Sequence, residues 1–372
     1  MHANDHLFPT RQTRRDFLKL AGATTAAWAV GVPEISSAAG KAEPVQIGSG
    51  FHTYTAVPDW GKLPEGMKYG LGCGIVVDGR DRIWITSRSQ SPCVAIFSRN
   101  GKLLETWGKE FADRVGYSTQ QVEDSAHCLY WSKEGRNEFI YFTENAGKNG
   151  KDPSFGRRVY KTDLKGKILY EIGNVGKEGS TSQKFEWTNP TDVAVAPNGD
   201  IYVVDGYGSQ RVSRFDKDFK HLKTIGARGK EHGQFNTCHG VWINTLRKGA
   251  DPEVYIADRA NGRLEIYDLD LNYKRSVGGV RNPCCFYQHK DHLYVPDLAA
   301  RVSIFDADDK FVTHLGDGRE VDGKTPKQDV TTSPALFDRP HAMCVDSHGD
   351  IYTLEWVPSG RIRKFKHTPQ KA

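Results

Sequence analysis

Between residues 70 and 366 one pattern recurs six times: four short apolar runs, each closed by turn chemistry. The clearest copy runs from Pro190 to Gly226. Thr191–Val195 reads as a strand, Pro197–Asp200 as a turn, and Ile201–Asp205 as a second strand. Arg211–Phe215 and His221–Gly226 follow as the third and fourth. The other copies span Gly70–Gly108, Glu123–Gly173, Gly233–Gly278, Arg281–Gly316 and Phe337–Lys366. The second carries a polar insertion at Asn149–Pro153 that reads as a surface loop. A single four-stranded meander cannot bury both of its faces. Six arranged radially can, and they leave only short edges exposed. The expected fold is therefore all-β, a six-bladed β-propeller occupying residues 41–372. Residues around Pro44–Val57 are expected to add the strand that closes the ring. No long helical periodicity competes.

Residues 1–40 stand outside that pattern. Thr13-Arg14-Arg15-Asp16-Phe17-Leu18-Lys19 is a twin-arginine motif, followed by an apolar run from Leu20 to Val32 and small residues at Ser36–Gly40 where a signal peptidase can cut. The run is too short for a comfortable membrane span. The expectation is export by the twin-arginine machinery, which carries folded proteins, to the periplasm or beyond, with no membrane association of the mature form. The net charge of +5 is spread thinly, and the absence of a Lys/Arg block argues against nucleic-acid binding. The seven cysteines, odd in number and without a C-x-x-C, give no compact thiolate metal motif and fix no disulfide pairing.

Aligned on their first strands, the six repeats begin with Cys73, His127, Thr191, His239, Cys284 and His341. The innermost strand of a propeller blade lines the central tunnel. Blades two, four and six lie about 120° apart around its axis. His127, His239 and His341 are thus expected to converge on one metal ion and leave a coordination position open. Zinc is the default for neutral imidazoles in a rigid site, with iron, copper and nickel as chemical alternatives. Cys73 and Cys284 are expected to form tunnel wall between the ligands.

The stretches Asn189–Val195, Tyr202–Tyr207, Gly233-Gln234-Phe235, Ala257–Arg263 and Phe337–His341 resemble the NHL repeat. More narrowly, they resemble the lyase domain of peptide-amidating enzymes, peptidyl-α-hydroxyglycine α-amidating lyase. That resemblance implies zinc on the three histidines, Tyr207 as the catalytic base, Arg88 as a catalytic arginine gripping a substrate carboxylate, and Arg259 as a second pocket arginine. It implies a lyase that splits a peptidyl-α-hydroxyglycine, or a similar small-molecule N-acyl hemiaminal, into an amide and glyoxylate. It also implies a structural calcium ion, with Asp78 at a calcium-side position. There are departures. Ala342 stands where the family has an aspartate used in catalysis and in the calcium site, and the family's two disulfides would fall at Thr188 with Gly208 and Tyr255 with Ile266, none of them cysteine. Two other functions fit such a scaffold: a metal-dependent hydrolase or lactonase, disfavoured by histidine, cysteine and threonine at the ring positions, and a non-enzymatic binding propeller.

Overall fold

The computed structural model describes residues 43–147, 151–152, 154–173 and 182–370. The expected leader lies outside the described residues, as does most of the Asn149–Pro153 insertion. Pro44 to the C-terminus forms one compact unit. Among the described residues no helix is long and apolar enough to cross a membrane.

Six antiparallel sheets form a six-bladed propeller, with strand boundaries within a residue or two of the sequence reading. The first strands are Leu71–Val77, Ala126–Glu134, Asp192–Val195, Cys238–Asn244, Tyr287–His289 and Pro340–Val345. Blade six draws three strands from the C-terminal end of the chain and its fourth, His52–Val57, from the N-terminal end. His52–Val57 pairs antiparallel with Arg363–His367, so the ring closes as expected. Gln46–Ser49 adds a fifth strand outside it. Blade two also has a fifth strand, Ser182–Lys184, running parallel to Ile168–Gly173.

Two short helices, Lys109–Val115 and Thr119–Ser125, link blades one and two and were not expected from the sequence. Each spans seven residues, too few for a 3.6-residue period to stand out. The first buries Phe111, Ala112 and Val115 among Trp107, Phe142 and Tyr160. The second starts with a capping box between Ser118 and Gln121. Much of the packing between blades is apolar. Trp84, Tyr202, Tyr255, Phe215, Phe235 and Phe337 are fully buried, each filling a seam where neighbouring sheets meet.

All seven cysteines are buried free thiols. The two position pairs at which the family resemblance would put disulfides do face each other. A Cβ on Gly208 would lie 2.2 Å from Thr188 Cγ2, and Tyr255 is the cross-strand partner of Ile266.

Candidate metal centre

The repeat positions its own first residue. In four blades an acidic residue at the end of the second strand accepts the backbone N–H three residues before the ring position, and in three of them the N–H two residues before it as well. Asp205 takes Thr188 and Asn189, Asp258 takes Asn236, Asp297 takes Arg281 and Asn282, and Glu355 takes Asp338 and Arg339. These charge-assisted bonds fix where the incoming chain turns into the tunnel. The pairing of first and second strands then slips by one residue at the ring position itself. The slip falls around Cys73, His127, His239 and His341. Such bulges re-aim one side chain without breaking the sheet.

The result is a ring of alternating character. His127, His239 and His341 are almost completely buried, with ring centroids 4.7–5.3 Å apart. One ligand nitrogen from each lies within 4.8 Å of the others. Each Nδ1 faces the backbone carbonyl of the next ring residue: Thr191 at 2.6 Å, Cys284 at 2.8 Å and Cys73 at 2.8 Å. A carbonyl only accepts, so Nδ1 carries the proton in all three and the Nε2 lone pairs are left free. Nε2 of His127 and of His341 has no protein partner. Nε2 of His239 lies 3.0 Å from the Tyr207 hydroxyl. Burial holds His127 and His239 well below the usual imidazole range, with His341 and Arg88 adding to the effect on His127 and Arg259 to that on His239. Oriented, solvent-shielded imidazoles, two of them with unpartnered Nε2 atoms, suit a transition-metal ion. The sequence reading took Cys73 and Cys284 as wall and gave Thr191 no role. Their carbonyls set the tautomer of the histidines, a role visible only once adjacent blades are placed side by side.

Tyr207 reaches this ring because of Gly206. A Cβ there would lie 1.7 Å from the Cys238 carbonyl, so only glycine lets the end of blade three press against the strand carrying His239. Burial pushes the Tyr207 phenol up to about 12, and Arg259 pulls against that rise. Arg259 Nη1 donates to the Tyr207 hydroxyl at 3.3 Å, with its guanidinium 5.2 Å from the centre of the tyrosine ring. Asp258 pairs with Arg263 rather than with its neighbour Arg259, which leaves Arg259 to the tunnel.

Arg88 is buried, not a surface loop residue. Its Nη2 donates to Asn145 Oδ1, its guanidinium stands 5.1 Å from the Trp356 ring, and its Nε has no partner. Trp356 in turn stacks on His341 at 5.3 Å. The sequence reading missed Asn145 and Trp356, since neither sits at a repeated ring position. Asp78 lies away from the ring. Its carboxylate accepts from the backbone of Arg80 and Arg82, the Arg82 side chain and Trp84, which makes it the anchor of a turn in blade one. None of the metal-competent donor clusters among the described residues contains a carboxylate.

Comparison with known proteins agrees with the architecture. Residues 188–215 match the family model for the NHL repeat. The chain is 26% identical over 214 residues to human NHL repeat-containing protein 3, covering 57% of this chain and 55% of that protein. It is 24% identical over 304 residues to peptidyl-alpha-hydroxyglycine alpha-amidating lyase 1 of Drosophila melanogaster, covering 75% of this chain and 49% of the relative. The chain thus spans about half the length of these relatives. Among solved structures, a gluconolactonase from Xanthomonas campestris shares the fold at a TM-score of 0.56 and 10% identity, covering 88% of this chain and 95% of that one.

Proposed function

We propose that this protein is a zinc-dependent lyase that cleaves the C–N bond of a carboxylate-bearing N-acyl hemiaminal, of which a peptidyl-α-hydroxyglycine is the type. The observation that carries the reading is the alternating imidazole–carbonyl ring, with Tyr207 bonded to one of its histidines and Arg259 bonded in turn to Tyr207. The resemblance to amidating lyases supports the same choice.

His127, His239 and His341 are the groups that would hold the ion, which when bound would supply Lewis acidity toward an oxygen of the substrate. The protein's own groups do the rest. Arg88, with an unpartnered Nε and an aromatic face beneath it, grips the substrate carboxylate. Asn145 and Trp356 hold that guanidinium in place. Tyr207 as phenolate accepts the hydroxyl proton of the hemiaminal carbon. As that oxygen becomes a carbonyl, the C–N bond breaks and the phenol returns the proton to the departing amide nitrogen. Amide and glyoxylate leave, with atoms and charge conserved. Arg259 favours the phenolate by its charge. Ala342 contributes no carboxylate, so the proton shuttle rests on Tyr207 alone.

The twin-arginine motif at Thr13–Lys19 supports a reading in which the protein is exported and acts in the periplasm or outside the cell, on a peptide or small acid made elsewhere. The test is release of glyoxylate from N-benzoyl-α-hydroxyglycine by zinc-loaded protein. Catalytic release supports the reading, and none above the uncatalysed rate rejects this reaction.

A further inference from the structure

One residue further along the chain from the ring positions, the tunnel holds a second tier. Cys128 follows His127 and Cys285 follows Cys284, on blades that face each other across the six-fold ring. Their sulfurs lie 3.8 Å apart, both buried. The Cys128 sulfur also lies 4.0 Å from the Cys73 carbonyl and beside the Asp192 carboxylate. A nitrogen of His341 falls within 4.8 Å of both sulfurs. Below them opens a chamber of about 680 Å³, with Cys128, Cys285, Asp192 and Ala342 at its inner end and the turns that follow the first strands, such as Pro197–Gly199, at its mouth. The chamber therefore gives water and ions a path to the sulfurs from the end of the tunnel opposite Tyr207.

We propose that Cys128 and Cys285 form a second cation site, selective for thiophilic divalent ions, stacked beneath the three-histidine site. Two sulfurs each about 2.3 Å from one ion at the tetrahedral angle stand about 3.8 Å apart, the separation seen here. The pair thus sits at ligation distance without movement of the backbone, whereas a disulfide would need the sulfurs to close to about 2.05 Å. His341 stands within reach of both sulfurs, but its free Nε2 belongs to the upper ring. The lower ion therefore takes its remaining ligands from water in the chamber. Binding breaks two S–H bonds, forms two metal–sulfur bonds and releases two protons. The two thiolates neutralise the added charge, which allows a second cation so close to the first. Hard cations are excluded by the donor type. The site does not depend on the lyase reading, because it uses none of the groups assigned to that reaction.

The experiment is cobalt(II) titration of metal-free, reduced full-length protein, read by stoichiometry and by the near-ultraviolet thiolate-to-cobalt charge-transfer band. Two ions per chain with that band are expected for the wild type. Cys128→Ser/Cys285→Ser is expected to keep one ion and lose the band. A wild type that takes a single ion without the band overturns the proposal, and so does a band that survives in the double variant. Should the double variant not fold, anomalous scattering from cobalt-loaded wild-type crystals decides. A peak between the two sulfurs supports the site, and density at the histidines alone refutes it.

Discussion

The Nδ1 of His127 lies 2.6 Å from the carbonyl oxygen of Thr191, a residue 64 positions away and one blade further round the ring. His239 with Cys284 and His341 with Cys73 repeat the contact. The propeller's symmetry thus does twice the work expected of it. It brings three imidazoles to the axis, and it supplies each with the acceptor that turns its other nitrogen inward.

Tyr207 is the group whose loss separates chemistry from binding. Tyr207→Phe keeps the ring against His127 and His239 but removes the hydroxyl. Glyoxylate release is expected to fall about 10²–10⁴-fold in kcat, with KM and bound metal unchanged. Steady-state kinetics beside metal analysis checks this.

The pH profile tests the pairing of Tyr207 with Arg259. Burial raises the phenol and Arg259 lowers it. A working phenolate makes kcat climb with pH. Removing the cation in Arg259→Gln raises the phenol further, so the ascending limb moves to higher pH. A limb that stays put, or moves down, contradicts the assignment.

Arg88→Lys keeps a charge but loses the planar fork. KM for a carboxylate-bearing substrate is expected to rise about 10–100-fold, in line with loss of one or two charge-assisted hydrogen bonds. A substrate with the carboxylate amidated should show little difference between the two proteins. The ratio of the two kcat/KM values is the readout.

Ring closure depends on one strand from the N-terminal end. Tyr54 is buried there, and its hydroxyl lies 3.0 Å from that of Tyr294 in blade five. Tyr54→Phe is expected to cost about 1 kcal/mol, and Tyr54→Ala about 3–5 kcal/mol. Denaturant unfolding measures both.

Acid should loosen the seam between blades four and five. Glu253 and Asp309 share Arg275, at 2.7 and 2.6 Å. Burial alone would raise the Glu253 carboxyl, but Arg275 and Lys274 outweigh it and hold it at about 2. A carboxyl depressed in the folded state adds stability that is full above its unfolded value, near 4.5, and is lost as pH falls through about 2. Glu253→Gln should flatten that part of the stability curve, as melting temperatures between pH 5 and pH 2 would register.

Much of this was legible in the sequence because a repeat multiplies weak signals. Any one of His127, His239 and His341 alone says little, but the same offset in alternate blades says they meet. The strand expected around Pro44–Val57 had no repeat behind it, and His52–Val57 pairs with Arg363–His367 to close the ring. What stayed hidden occurs once. Trp356 under Arg88, Asn145 beside it and the Phe111 helix answer to neighbours from other blades, and no period marks them. The Cys128–Cys285 contact was hidden likewise, because it spans the tunnel between residues that no local spacing connects.

The measurement that bears most directly on the central claim is the metal content of the purified protein, set beside His127→Ala, His239→Ala and His341→Ala. Because the Cys128–Cys285 site is proposed to bind independently, the count is made on the Cys128→Ser/Cys285→Ser background. One zinc per chain, lost in each of the three variants while the fold persists, is the predicted result. No zinc bound even after incubation with the ion, or zinc retained in all three variants, would contradict a catalytic metal centre on the histidine ring.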